Sequence, residues 1–324
     1  MSRQSAKHMN FECIDFHAHP IPDSFVSGLK ELGIDPIEED GFPLPKWSLQ
    51  DHLQFMKDAG ITHTVLTLPT PHIHNGEDEK AARAARLINN EMASYAKQDP
   101  EHFSFCACLP IPNVQGALEE IRYAAEELHC AGFKLPTNAN GVYLGDPMLD
   151  PVMEELNRRK ALCIIHPCRA RQVPYNVITG KVMAIYEYPA DTTRCVLNMI
   201  ASHIMSRFPD ITWVIPHTGS FLAYELQRFK GVSGILASLG MMEVTDVDAE
   251  VRNLYYDIAG DPQPHALDML LKITDIDHIV YGSDWPHSPA AAVIPKKQRL
   301  ESAETLSEVL KKIYSENGER ILRK

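Results

Sequence analysis

Two histidines separated by one residue, His17 and His19, end an apolar stretch near the start of this 324-residue chain. The stretch over residues 11–20 has the pattern of a strand, and Pro20 stops it. Alternate residues of a strand point to the same face, so the two imidazoles would lie side by side at the strand's carboxyl end. Both could then reach one cation. Two surface histidines bonded to water or backbone would give the same short pattern. The choice between a metal site and surface histidines therefore depends on later segments of the chain.

Three later strand-like segments also end in side chains that bind metals. His166 follows residues 161–165, His217 follows residues 211–215, and Asp284 follows residues 278–281. A set of three imidazoles and a carboxylate suits one divalent metal, with Zn²⁺ preferred over Mn²⁺ or Fe²⁺. A catalytic site of this kind keeps one coordination position for water or substrate.

Strand and helix patterns alternate along the whole chain, and the short apolar strands number eight. This predicts an α/β fold, a (β/α)8 barrel, in one domain over residues 1–324, with residues 1–10 frayed. Ser48 is predicted to cap a helix that ends near Gly60. Long loops are expected after the first and fifth strands, over residues 21–47 and 168–188, and would carry specificity. A doubly wound open sheet is the other candidate, but its glycine fingerprint does not follow the first strand.

Composition excludes several classes of function. The formal net charge is −12, so non-specific nucleic-acid binding has no electrostatic basis. No apolar stretch suits a bilayer and no signal peptide is recognisable. The seven cysteines follow no disulfide spacing, which favours reduced thiols and a cytoplasmic protein.

Four segments together resemble the amidohydrolase superfamily: FHAH at residues 16–19, IHP at 165–167, IPHTG at 215–219 and YGSDWP at 281–286. The resemblance is greatest to the branch that contains aminocarboxymuconate-semialdehyde decarboxylase and γ-resorcylate decarboxylase, and it extends over nearly the whole chain. It implies a metal-dependent, non-oxidative decarboxylase of a small unsaturated or aromatic carboxylate. It also implies a homodimer.

Carried over to this sequence, the resemblance makes four residues the ligands of a single divalent metal: His17, His19, His166 and Asp284. His217 would hydrogen-bond the substrate or a bound water and move protons, and Asp284 would share in catalysis. The family holds substrate with an arginine from the loop after the first strand, but residues 21–47 contain none.

Substrate binding is therefore assigned to other side chains. Lys134, at the end of the fourth strand, is expected to contact substrate or a buried carboxylate. Arg228 is the candidate for the substrate carboxylate, with Arg169 and Arg171 as alternatives. Trp285 would flank a conjugated substrate, although core packing is the ordinary role of a tryptophan.

Other residues and functions stay open. His72 and His74 form a second HxH pair, expected in a pocket wall or at the surface. His287 is expected to face water, and Asp15 to orient a ligand imidazole or to pair with Lys134. The alternative activity is hydrolysis of a lactone, amide or ester at the same metal site. A barrel without activity that binds a ligand is the non-enzymatic alternative.

Overall fold

Eight parallel strands form one sheet at the centre of the protein, and this confirms the predicted (β/α)8 barrel. The computed structural model describes residues 12–303 and 309–323. The barrel strands follow in spatial order β1 Ile14–Ala18, β2 His63–Thr67, β3 Phe103–Cys108, β4 Gly132–Pro136, β7 Leu162–His166, β8 Thr212–Ile215, β9 Tyr255–Asp257 and β10 Ile279–Val280. A small antiparallel hairpin, β5 Asn138–Ala139 and β6 Val142–Tyr143, follows β4.

The barrel closes between its first and last strands. Asp15 pairs with Tyr281 and Ala18 with Trp285, both in parallel register. The amide of His19 donates to the Trp285 carbonyl over 2.8 Å. Closure brings the carboxyl end of β1 beside the segment that follows β10, where Asp284 lies.

Helices pack around the sheet and connect its strands. They are α1 Asp23–Leu32, α2 Pro36–Asp40, α3 Leu49–Ala59, α4 Asp78–Gln98, α5 Val114–Glu126, α6 Asp150–Arg158, α7 Glu187–Ala201, α8 Ile204–Arg207, α9 Leu222–Ser238, α10 Val247–Val251, α11 Ala266–Leu270, α12 Ala290–Ser302 and α13 Asn317–Leu322. Ser48 caps α3 by accepting from the Asp51 amide, and Gly60 ends it in the left-handed conformation, as predicted.

Apolar side chains form two layers, one between sheet and helices and one inside the barrel. The inner layer ends at α13, whose Ile321 packs against the strand residues. Gly318 of α13 lies so close to Phe16 that a Cβ there would stand 2.6 Å from the ring. Because α13 fills the amino-terminal end, the open end of the barrel is the carboxyl one, where the strand-end histidines lie.

The prediction of an irregular loop over residues 21–47 is wrong in part. This segment contains α1 and α2, although the connection between β1 and α3 is long as expected. Its Pro and Gly residues act as helix boundaries: Pro36 occupies the first turn of α2, and Gly33 and Gly41 end α1 and α2 with positive φ. The same composition is typical of loops, and for this reason the sequence did not predict α1 and α2.

Other boundaries differ more modestly. Residues 168–188 contain only short 3₁₀ turns before α7 begins at Glu187, so the predicted loop ends two residues earlier than expected. Residues 1–10, which the sequence predicts to be frayed, lie outside the described residues. In the part of the chain that the structure describes, no helix has both the length and the apolar character to cross a membrane.

Candidate metal centre and active-site cavity

Four side chains with metal-binding atoms converge at the carboxyl end of the barrel. They belong to His17, His19, His166 and Asp284, and one ligand atom of each lies within 4.8 Å of all the others. The His19 Nε2 atom is 3.3 Å from Asp284 Oδ1, and the His17 Nε2 atom is 3.6 Å from the same oxygen. Residues separated by up to 267 positions in sequence thus share one small volume.

A bulge in β1 directs His17 into this volume. Asp15 pairs with Thr64 and Ala18 with Leu66, so two residues of β1 face the single Val65 of β2. Such an extra residue shifts the alternation of side chains by one. Phe16 packs inside the barrel, and His17, the next residue, lies with its ring centre 4.9 Å from that of His19.

Each histidine of the cluster is oriented through its Nδ1 atom. His17 Nδ1 bonds Asp257 Oδ2 over 2.8 Å, and His19 Nδ1 bonds the Thr67 carbonyl over 2.9 Å. His166 Nδ1 lies 3.0 Å from the Pro167 carbonyl. With a proton on Nδ1, the Nε2 atom carries the lone pair that binds a metal.

The donor set fits a divalent cation. The Nε2 atoms of His17 and His19 are buried and make no hydrogen bond to any residue that the structure describes. Buried polar atoms without a partner are rare, because burial without a hydrogen bond is costly. The three imidazoles and the carboxylate are a ligand set that Zn²⁺, Mn²⁺ or Fe²⁺ accepts.

The electrostatics differ from one member of the cluster to the next. Burial lowers the pKa of His19 and of His166, since the protonated ring loses its hydration. Burial acts in the same direction at His17, but Asp257 outweighs it and raises the pKa of His17 to about 9. Burial alone would raise the pKa of Asp284, whereas the neighbouring imidazoles of His19 and His17 outweigh it and lower that pKa.

Backbone contacts fix Asp284 next to β1. Its amide donates to the His17 carbonyl over 2.7 Å, and its φ is +61°. Gly282 lets the two segments approach, because a Cβ at this position would stand 2.8 Å from the Cβ of His17. Asp15 accepts from the amides of His17 and Ser283, each over 3.0 Å. Asp15 therefore binds backbone rather than a ligand imidazole, contrary to that expectation.

His217 lies beside the cluster but outside the set of four. Its ring centre is 4.8 Å from that of His17, and its buried Nδ1 atom has no partner. The residue has a φ of +55°, and its amide donates to Asp257 Oδ1 over 3.0 Å. His217 is thus fixed through its backbone while its imidazole stays available.

Asp257 is a site residue that the sequence analysis missed. It is fully buried at the end of β9 and links the His17 imidazole to the His217 backbone. It also accepts from the Ala259 amide over 3.0 Å. The signal that found His166, a polar residue that ends an apolar strand, was present here as well.

A cavity of about 700 Å³ opens above the cluster. His166, His217 and Asp284 form part of its wall, and much of the remainder is apolar. His287 also lines it, with its ring centre 5.4 Å from that of His19 and a buried Nε2 atom without a partner. The expectation that His287 faces water is therefore wrong, because the loop after Asp284 turns back over the site.

The three residues expected to bind substrate lie outside this wall. Lys134 is buried behind it, with Nζ 3.4 Å from the Pro69 carbonyl. Arg228 is exposed on α9. Trp285 packs in the core, where its ring stacks on Phe55 with centres 5.0 Å apart.

The second HxH pair lines a different cavity of about 240 Å³, together with Arg169 and Arg171. His72 Nε2 bonds the Ile111 carbonyl over 2.7 Å, and His74 Nε2 bonds Asp78 Oδ1 over 2.8 Å. These contacts agree with the expected place in a pocket wall.

Comparisons with known proteins match this arrangement. The amidohydrolase family model matches residues 14–324. The chain is 31% identical to decarboxylase yanB of Aspergillus niger, over 94% of this chain and 85% of that protein. It is 28% identical to 6-methylsalicylic acid decarboxylase of Penicillium expansum, over 93% of each chain.

Solved structures agree in fold. A crystal structure of an amidohydrolase II has a TM-score of 0.89 and 31% identity, and covers 97% of this chain and 100% of its own. The 5-carboxyvanillate decarboxylase of Novosphingobium aromaticivorans, crystallised with manganese, has a TM-score of 0.88 and 18% identity, with 100% of both chains covered. This chain therefore belongs to the amidohydrolase family, because the family model matches residues 14–324 and the identity to decarboxylase yanB extends over 94% of the chain.

Proposed function

We propose that this protein is a metal-dependent, non-oxidative decarboxylase of a small aromatic carboxylate. The observation that carries the proposal is the convergence of His17, His19, His166 and Asp284 at the floor of a largely apolar cavity. Relatives that match over most of this chain are named decarboxylases. An apolar cavity of this size suits an aromatic ring.

The four clustered residues would hold one divalent metal, with Zn²⁺ or Mn²⁺ as the candidates. Manganese is present in the related 5-carboxyvanillate decarboxylase. When bound, such an ion supplies a Lewis acid that polarises a substrate oxygen.

The chain's own residues then have distinct tasks. Asp257 keeps the Nδ1 proton of His17 in place and fixes the backbone of His217. The His217 imidazole, whose Nδ1 atom has no protein partner, holds a proton next to the substrate. Transfer of a proton to the ring carbon that bears the carboxylate leaves the ring short of electrons. The electron pair of the breaking carbon–carbon bond then returns to the ring, and CO₂ leaves.

The proposal is tested by product analysis in D₂O. Metal-loaded protein is incubated with hydroxybenzoates, and released CO₂ and ring deuterium are measured. We expect equal amounts of both, one deuterium for each carboxylate lost. His217→Gln should abolish turnover while metal content is kept, whereas Arg228→Ala, a change at an exposed site, serves as the control. Cleavage of a lactone, amide or ester without CO₂ would instead identify the protein as a hydrolase.

The proposed assembly is a homodimer. Several large apolar side chains of α9, among them Val232 and Ile235, are exposed in the single chain. Exposed apolar patches of this kind mark protein interfaces. Sedimentation equilibrium should give twice the chain mass of 36.4 kDa for the wild-type protein. Ile235→Glu should lower the measured mass to that of a single chain.

A further inference from the structure

The wall of the active-site cavity limits the charge that its substrate can carry. On the basis of the proposed decarboxylation, we infer that the cavity selects aromatic acids whose only carboxylate is the one that is removed, and whose other ring substituents are uncharged alkyl or hydroxyl groups. Acids with a second carboxylate are excluded. This concerns the part of the substrate that points away from the metal cluster.

The outer part of the cavity is mainly apolar. Six of the side chains that form it share this character: Ala184, Ile185, Pro189, Phe221, Ala266 and Met269. They come from the 3₁₀ turn before α7, from α7, from the segment after β8 and from α11. Burial of an alkyl substituent against such a wall lowers the free energy of binding, because apolar surface is removed from water. A carboxylate in the same place loses its hydration and finds no hydrogen-bond or ionic partner.

Among the residues that line the cavity in the described ranges, none is a lysine or an arginine. This matters because recognition of a carboxylate away from a metal ordinarily uses a guanidinium or ammonium group. Lys134 does not fill this role, since its Nζ atom lies behind the wall at the Pro69 carbonyl.

Two cations beside the two cavities are engaged by acidic partners. Lys296 pairs with Asp261 over 2.9 Å, and Asp261 itself lines the cavity. Arg169 pairs with Glu39 over 3.3 Å and lines the second cavity instead. A second carboxylate on the substrate would therefore meet Asp261, and no lysine or arginine among the described residues of the wall.

Hydroxyl substituents are treated differently. His287 and Ser220 both line the cavity, and among the described residues neither the Nε2 atom of His287 nor the Oγ atom of Ser220 has a hydrogen-bond partner. Each can bond a phenolic hydroxyl, which is neutral and can donate as well as accept. The cavity thus accepts a hydroxyl and an alkyl group, and it rejects a second charge.

The test compares two salicylates that differ only in one ring substituent, a methyl group or a carboxylate at the same position. We expect kcat/KM for the methyl compound to exceed that for the dicarboxylate by at least about a hundredfold, because a buried carboxylate lacks a partner. Equal values, or a preference for the dicarboxylate, would overturn the inference and leave the decarboxylase assignment intact.

Binding provides a second readout that does not need turnover. The two compounds compete with a fluorescent benzoate for the metal-loaded protein, and their dissociation constants should differ in the same direction. If neither compound were decarboxylated, the proposed function would fail. The two dissociation constants would still test the inference, because tighter binding of the methyl compound supports it and equal or reversed affinities refute it.

A change of charge at one position of the wall sharpens the test. Met269→Arg places a cation of similar length on α11, and Met148→Arg is the matched control at a site that lines no described cavity. Met269 is 43% exposed and Met148 is 51% exposed, so both arginines have room. Met269→Arg should raise the relative affinity for the dicarboxylate by at least about tenfold, and Met148→Arg should leave it unchanged. An equal change in both variants, or none in either, would refute the role of the wall.

Discussion

Replacing Asp257 with asparagine tests how His17 is prepared to bind a metal. In the wild-type protein the Asp257 carboxylate accepts three hydrogen bonds, from His17 Nδ1 and from the amides of His217 and Ala259. Asparagine has nearly the same shape, and its remaining oxygen keeps the two amide bonds. Its NH₂ group, however, would face His17 Nδ1 and can only donate.

The proton of the His17 ring must then move to the other nitrogen. An imidazole that accepts at Nδ1 carries its proton at Nε2, the atom directed at the cluster, and it loses the lone pair that would bind the metal. Loss of such an orienting partner costs about 10- to 100-fold in metal affinity. This corresponds to about 1.4–2.8 kcal/mol.

The assay is competition for Zn²⁺ or Mn²⁺ against a coloured chelator, together with the unfolding free energy of the metal-free protein. We expect Asp257→Asn to remain folded and to bind metal 10- to 100-fold more weakly, as estimated from the loss of the orienting bond. Asp257→Ala removes both acceptor oxygens and with them all three hydrogen bonds, and we expect it to lose roughly 3–6 kcal/mol of stability.

Asp15→Asn is the matched control. Asp15 is another buried aspartate close to the site, but it accepts only from backbone amides, those of His17 and Ser283. Its replacement should leave metal affinity within about twofold, in line with a site where no ring tautomer changes. Wild-type metal affinity in Asp257→Asn, or equal losses in both variants, would refute the assignment of His17 as an oriented ligand.

Further predictions concern the cavity, the core and the closed end of the barrel. His287→Phe should keep full metal content and lower kcat/KM for a hydroxybenzoate by about 10- to 100-fold, since a buried hydrogen-bond partner is lost; an unchanged value would exclude substrate contact. Trp285→Leu should lower the unfolding free energy by about 2–4 kcal/mol and leave KM unaltered, because the Trp285 ring packs on Phe55 in the core. A raised KM at wild-type stability would instead show that Trp285 contacts the substrate. Gly318→Val should lower the free energy of unfolding in urea by about 1–3 kcal/mol, because a Cβ would stand 2.6 Å from the Phe16 ring. Wild-type stability would show that the residues around Gly318 can move to admit a larger side chain.

The sequence predicted the parts of the site that depend on strand ends. Parallel strands of a barrel bring their carboxyl ends together whatever their separation in sequence, so His166 and Asp284 could be placed beside His17 and His19 from the pattern alone. The bulge in β1 was not foreseeable, because strand alternation assumes regular pairing. It explains why Asp15 bonds backbone and not the His17 ring.

The prediction was weakest where side-chain direction depends on loops or on the far face of a helix. Trp285 directly follows Asp284, yet it points into the core, whereas His287 points into the cavity. Arg228 is close to His217 in sequence, but α9 carries it to the exposed surface. Such directions follow from tertiary packing, which the local sequence pattern does not contain.

Anomalous diffraction from crystals soaked in Mn²⁺ tests the central claim most directly, because it locates the ion without assuming an activity. We predict a single strong peak, about 2.0–2.3 Å from the Nε2 atoms of His17, His19 and His166 and from one Asp284 oxygen, as expected for a transition metal with these ligands. A peak confined to the second cavity at His72 and His74, or a wild-type crystal without any peak at the four clustered residues, would contradict it.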